Sequence, residues 1–233
     1  MTSRLDGIVI AIDGPSGAGK STIARLLAER LGYIQIDTGA MYRAAAFLLD
    51  AAGVDLADLA AVEQFCRNVD IRLDVVSGKQ MVVGNGIDLT DKIRTPEMSL
   101  LTSKTSALKP VREALLKSQQ KMGSRGGVVL EGRDIGTVVF PDAELKFYLS
   151  ASVEERARRR CEELTGKGVS VTFAETVADV AERDRQDSER DIAPLRQAED
   201  AVLIDSSRLS IDEVLTKMVT MCRGKIETME STL

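Results

Sequence analysis

The sequence has no histidine and no tryptophan, only five prolines and three cysteines, and aromatic residues make up 3% of its 233 positions. Without histidine, a Ser-His-Asp or Cys-His nucleophile, a histidine general base and a histidine-ligated metal are excluded. Phosphoryl transfer survives that exclusion, because it runs on positioning and on cations that neutralise developing charge. Cys66, Cys161 and Cys222 are far apart, odd in number and form no C-x-x-C pair. That argues against a disulfide framework or a zinc site and fits reduced thiols in the cytoplasm. No apolar run reaches the length that spans a bilayer. The formal net charge of -5 argues against coating of a nucleic-acid polymer or an anionic membrane. Met1–Asp6 leads straight into a strand-like run without the shape of a signal peptide, so the expected location is cytoplasmic.

What is present is the composition of a soluble globular protein, 44% hydrophobic and 29% charged, with length for one substantial core and an inserted subdomain. Its most informative stretch is Gly7-Ile-Val-Ile-Ala-Ile-Asp13 followed by Gly14-Pro15-Ser16-Gly17-Ala18-Gly19-Lys20-Ser21-Thr22. A buried-looking β-branched run thus enters a loop of the pattern G-x-x-x-x-G-K-[ST], and an amphipathic helix carrying Ile23, Leu26, Leu27 and Leu31 leaves it and stops at Gly32. Glycines 14, 17 and 19 let successive N–H groups point into one concavity, and the helix adds the positive end of its dipole. Residues 14–22 are therefore expected to cradle the phosphates of a nucleoside triphosphate. Lys20 would reach the β- and γ-phosphates, and the Ser21 hydroxyl would hold Mg²⁺.

Further along, Tyr33–Asp37 reads as a second strand and Thr38-Gly39 opens a helix closed by Gly53. Another helix is expected from a cap at Asp55 to about Asn68. The period then changes to two: Ile71, Leu73 and Val75, then Met81 and Val83, then Ile87 and Leu89 alternate with polar residues. Ser77-Gly78 and Asn85-Gly86 mark turns, so roughly residues 70–91 form a small antiparallel insertion. Thr95-Pro96 starts a helix bearing Ser103, a break falls at Lys109-Pro110, and a further helix carries Arg112 to Gly123. Val128–Glu131, Leu145–Leu149 and Ala201–Asp205 are strands, and capping boxes are expected at Ser152/Glu155, Thr172/Glu175 and Ser210/Glu213. Apolar strands alternating with helices imply an α/β fold with a parallel sheet covered on both faces, whose ligands bind beyond the carboxyl ends of the strands.

The basic residues admit two readings. Arg156, Arg159 and Arg160 share one helix face, as do Arg183, Asp187 and Arg190. On spacing alone each is a solvated face laced with Glu–Arg pairs. Beside a phosphate loop they become a charged helical hairpin, hinged at Gly166-Lys167-Gly168, that closes over polyphosphates. Arg133–Asp134, flanked by Gly132 and Gly136, is either a surface ion pair or a ligand contact at a strand end. Glu131 and Asp37, each ending a strand, are either structural carboxylates or acids that order the waters of Mg²⁺. Thr38 is a helix cap, a ligand, or both.

Asp13-Gly-Pro-Ser-Gly-Ala-Gly-Lys-Ser, Asp37-Thr-Gly-Ala-Met-Tyr-Arg43, Ile93-Arg-Thr, Val111-Arg-Glu-Ala-Leu-Leu, Glu131-Gly-Arg-Asp-Ile-Gly-Thr-Val-Val-Phe-Pro-Asp142 and Glu182-Arg-Asp-Arg-Gln-Asp-Ser-Glu-Arg190 together resemble bacterial cytidylate kinases, over about residues 7–222. The resemblance implies a P-loop NTPase-type parallel sheet flanked by helices, in a single nucleoside monophosphate kinase domain over 1–233. Within it an NMP-binding β insertion falls at about 64–94 and a helical lid at about 152–172. It also implies a monomer that moves the γ-phosphoryl of Mg–ATP onto CMP or dCMP. Arg43, Arg133 and Arg190 would bind the acceptor phosphate; Ser103, Arg112 and Asp134 would face cytosine; Arg183 and Asp187 would meet the sugar, and Thr38 offers a hydroxyl to the acceptor. Lys20, Arg156 and Arg160 would act on the transferred phosphoryl. Thr38 stands where some relatives have serine, and Glu131 where some have aspartate. The rival readings are a kinase for another small acceptor, and a nucleotide-binding switch with no acceptor at all.

Overall fold

The structure, a computed structural model, describes residues 6–76 and 79–231, so the Ser77-Gly78 turn lies outside the described residues. The chain divides into two compact units, Met1–Ile36 with Gly123–Leu233, and Asp37–Met122. The second unit is wider than the expected insertion at 64–94, because the helices on either side of the small sheet share its core.

The first unit is built on a sheet of β1 (Val9–Asp13), β2 (Ile34–Asp37), β6 (Val128–Gly132), β7 (Leu145–Ser150) and β8 (Val202–Asp205), in the order β2-β6-β1-β7-β8. β1 pairs in parallel with β6 (Ile12 opposite Glu131, Asp13 opposite Gly132) and with β7, and β7 with β8. β1 and β6 are buried at every residue, as continuous apolar runs in a helix-covered parallel sheet should be. On one face Ile10, Ile12, Phe147 and Leu149 pack against Ile23, Ala24 and Leu27 of α1 (Lys20–Leu31) and against Val214, Leu215, Met218 and Cys222 of α8 (Ile211–Glu230). α6 (Val153–Gly166) and α7 (Phe173–Glu189) form the charged hairpin. Arg190, expected on the face of α7, lies just past its end in an extended conformation.

Full capping boxes form at Thr172/Glu175 and Ser210/Glu213. At Ser152 only half of one forms: its hydroxyl accepts from the Glu155 N–H, while the Glu155 carboxylate turns to Arg158 and Arg159. Two competing guanidiniums outbid a single backbone N–H.

The second unit packs α2 (Thr38–Ala51), α3 (Leu59–Cys66), α4 (Pro96–Thr105) and α5 (Lys109–Gly123, its last residue in the first unit) with a sheet of β3 (Ile71–Val76), β4 (Lys79–Gly84) and β5 (Ile87–Asp88). Met41, Leu49, Val62, Ile71, Val82, Leu89, Ile93 and Val111 form its core. Asn85 and Gly86 both adopt positive φ, the turn their dipeptide predicts. The pairing sets Leu73 opposite Val82 and Ile71 opposite Gly84. Val82 and Gly84, rather than Met81 and Val83, therefore share the core face with Ile71 and Leu73. The cap of α3 is Asp58, which accepts from Ala60 and Ala61, whereas Asp55 closes the turn before it onto Ala57. Cys66 and Cys222 are buried and Cys161 half-exposed. Burial raises both buried thiols, Cys222 to about 12.

Candidate active site

The loop after β1 depends on its glycines. Gly14 has φ +149°, and a Cβ there would sit 2.0 Å from the Leu149 carbonyl oxygen. Gly19, at φ 95°, caps α1 in the left-handed region. The first-turn N–H groups of α1 are thus left for an anion. Lys20 is 7% exposed, and its Nζ donates to the Pro15 carbonyl at 2.6 Å. Burial first, and the Arg133 charge second, push its ammonium well below the ordinary lysine range. A cation so desolvated gains most from an arriving polyphosphate.

Beside it, Ser21 Oγ donates to Glu131 Oε2 at 2.6 Å, and Gln35 Nε2 to Glu131 Oε1 at 2.9 Å. A hydroxyl and a carboxylate side by side suit Mg²⁺, which takes few protein ligands and completes its octahedron with water and phosphate oxygens. Among the described residues no cluster of three or more acidic or cysteine side chains offers a cage made by protein alone. Asp37 is otherwise engaged: its Oδ1 accepts from the Ala40 N–H at 3.0 Å, capping α2, and its Oδ2 accepts from Arg43 at 2.8 Å. The cap of α2 is therefore Asp37; Thr38 is its first residue, and buried.

The hairpin arginines reach the phosphate loop unequally. Arg156 is buried, with Nε donating to the Ala151 carbonyl, Nη1 to the Ser16 carbonyl at 3.1 Å, and both terminal nitrogens to Asp184 at 2.9 and 2.5 Å. Arg159 spans from Glu155 to the Ser206 carbonyl at 2.8 Å, with longer contacts of 3.4 Å to the carbonyls of Gly17 and Ala18. Arg160 pairs with Glu163 three residues on, partly in solvent.

At the end of β6, Arg133 Nε donates to Asp187 at 2.8 Å, and Arg190 lies 3.7 Å from Asp134 and donates to the Ala193 carbonyl at 2.6 Å. Burial alone would raise the Asp187 carboxyl; Arg133, then Arg183 and Arg190, outweigh it and hold it below the usual range. These five predicted residues thus form one charged group, two buried carboxylates among three half-buried arginines. Asp134 heads a π-helical turn, Ile135–Val139, that the apolar pattern did not reveal. In the second unit, the Arg112 guanidinium sits 5.3 Å from the Tyr42 ring centroid and donates to the Ser106 carbonyl, and Ser103 is half-buried on α4. The buried Nε of Arg43 has no hydrogen-bond partner.

Sequence reasoning missed three residues here. Gln35 carries one visible signal, a polar side chain between the two isoleucines of its strand. Asp184 and the acceptor role of Asp13 carry none, because their partners lie 28 and 122–123 positions away.

The family model described as Cytidylate kinase matches residues 10–224. The chain belongs to the cytidylate kinase family. It is 56% identical over 223 residues to the cytidylate kinase of Citrifermentans bemidjiense, covering 96% of each chain. It is 58% identical to that of Geobacter sp. strain M21, covering 92% of each, and 57% identical to that of Geobacter sulfurreducens, covering 94% of each. Phosphate loop, Glu131, the Arg133–Asp187 group and both hairpin helices all fall inside the span that matches the family. Among the described residues no helix is long and apolar enough to cross a membrane.

Proposed function

We propose that this chain is an ATP:CMP phosphotransferase acting on CMP and dCMP. An oxygen of the CMP α-phosphate forms a bond to the γ-phosphorus of ATP as the bond to the β–γ bridging oxygen breaks, so that CDP (or dCDP) and ADP leave. The nucleophile is already anionic, so no general base is needed, which suits a chain without histidine. Gly14–Thr22 hold the triphosphate, with Lys20 on its β- and γ-oxygens. Ser21 would bind Mg²⁺, with Glu131, which accepts from its hydroxyl, ordering the waters; the metal would supply neutralisation of charge on the phosphate oxygens. In the first unit Arg133, Asp134, Arg183, Asp187 and Arg190 are assigned to the acceptor; in the second, Thr38, Arg43, Ser103 and Arg112 are the residues that the family resemblance implies for it. Asp134 accepts from the cytosine amino group; uracil would set a carbonyl against it.

Of the hairpin arginines, Arg160 is free to swing from Glu163 to the transferred phosphoryl, whereas Arg156 must first leave Asp184 and the Ser16 carbonyl. The protein acts as a cytoplasmic monomer on small molecules, not on a nucleic-acid polymer.

The observation that carries the reading is the second set of largely buried guanidiniums, Arg133 and Arg190, each beside a buried carboxylate in the same unit as the phosphate loop. A nucleotide switch has no use for it. Turnover with CMP, dCMP, UMP and AMP side by side tests the proposal: CDP and dCDP should form fastest. Slow ATP hydrolysis with no diphosphate product would favour the switch instead.

A further inference from the structure

The π-helical turn after β6 is capped from outside. The first N–H groups of any helix lack partners within it, and the residue heading the helix ordinarily supplies a side-chain acceptor. Asp134 heads this turn and is of the right type, yet its carboxylate makes no capping bond. The acceptor comes instead from the end of β1. Asp13 Oδ1 accepts from the Ile135 N–H at 2.8 Å and Oδ2 from the Gly136 N–H at 2.7 Å. Asp13 is buried, its strand pairs directly with β6, and the next residue is Gly14 of the phosphate loop. At Gly136 an added Cβ would lie 3.0 Å from Lys146 Cδ and 3.4 Å from Asp13 Oδ2, so the turn is seated closely against both side chains.

We infer that Asp13 is a positioning residue for base selection: by capping the Ile135–Val139 turn in place of Asp134, it keeps the buried Asp134 carboxylate, 3.7 Å from Arg190, off the turn and directed to the acceptor base. The inference rests on the assignment of Asp134 to the cytosine amino group. Both carboxylate oxygens are needed, one per N–H. An asparagine would oppose its own NH₂ to one of the two amides, two donors facing each other. With Asp13 disabled, the nearest carboxylate able to cap the turn is Asp134 itself, and capping would draw it off the base. The same contact joins the turn to the residue that precedes the phosphate loop, so the device belongs to the strand pair β1–β6 and not to a surface loop.

The test compares kcat/KM for CMP and UMP, and KM for ATP, in the wild-type enzyme, Asp13→Asn, Asp134→Asn and the double variant. Expected is a fall of at least tenfold in the CMP-over-UMP ratio for Asp13→Asn, with the ATP KM within about twofold of wild type. The double variant should lose little beyond Asp134→Asn alone, because both changes remove one carboxylate from one place. Should Asp13→Asn not fold, Asp13→Ser takes its place, its hydroxyl accepting from one amide only.

If Asp13→Asn keeps the wild-type ratio while Asp134→Asn lowers it, the positioning role is wrong and the base assignment stands. If the ATP KM rises and the ratio holds, Asp13 supports the phosphate loop alone and the inference is overturned. If Asp134→Asn itself leaves the ratio unchanged, the base assignment falls and takes the inference with it.

Discussion

Burial shifts the titration of two side chains, Lys20 and Asp13, and each shift makes a measurable promise. Lys20, its ammonium depressed by burial and by Arg133, should bind a proton when a polyphosphate arrives. ATP binding followed calorimetrically in buffers of different ionisation enthalpy should show proton uptake that grows with pH; heats independent of buffer would contradict it. Lys20→Ala should leave the melting curve intact and lower kcat by about 10²-fold or more, as loss of one transition-state donor typically does. Asp13, raised to about 6 chiefly by burial, with Asp134 adding to the rise and Lys20 and the two amides opposing it, is ionised at neutral pH as its double acceptance requires. Between the ordinary value of 3.8 and about 6 the folded chain holds a proton that the unfolded chain has released. The stability from this carboxyl is therefore complete below that window and is lost as pH rises through about 6. Free energies of urea unfolding measured from pH 4 to 7 should show that fall in the wild type and not in Asp13→Asn.

At the scale of elements, the strand–loop–helix from Val9 to Leu31 was legible because each of its parts obeys a local rule: an apolar run, glycines where φ turns positive, a 3.6-residue apolar stripe, a glycine stop. Gly14→Ala tests the tightest of these. A methyl 2.0 Å from the Leu149 carbonyl oxygen in a conformation that suits glycine should cost about 3 kcal/mol or more and drop Tm by several degrees in a thermal melt. The strands β6, β7 and β8 and two of the three capping boxes were legible for the same reason. What was not legible depends on distant partners. The cap of α3 passed from Asp55 to Asp58 because two carboxylates three residues apart both precede the helix, and only the backbone decides which turns into it. The capping half of Glu155 was lost to Arg158 and Arg159. Arg190 fell outside α7, and the π-helical turn arose where a carboxylate from β1 replaced the local cap. Of the site, the residue types were readable from motifs; which arginine is locked and which is loose was not, since Asp184 lies a whole helix hairpin away from Arg156.

For the molecule as a whole, the topology separates the labour. The chain leaves the parallel sheet after β2 and returns as β6, the strand beside it, having built the Asp37–Met122 unit in between. All the residues assigned to the triphosphate lie in the unit that contains the sheet. A non-hydrolysable ATP analogue should therefore slow amide hydrogen exchange within 9–36 and 123–206, and subsequent addition of CMP should extend protection into 37–122. Protection of 37–122 by CMP equal to that in its absence would remove Arg43, Ser103 and Arg112 from the acceptor site. The burial that pushes Cys222 to about 12 and also raises Cys66, set against the half-exposed Cys161 on α6, has a practical corollary. A maleimide dye added at one equivalent should attach at Cys161 ahead of the other two, as peptide mapping would reveal. The native chain thus carries a ready anchor for a fluorescent reporter on the arginine-bearing helix, with no engineered cysteine required.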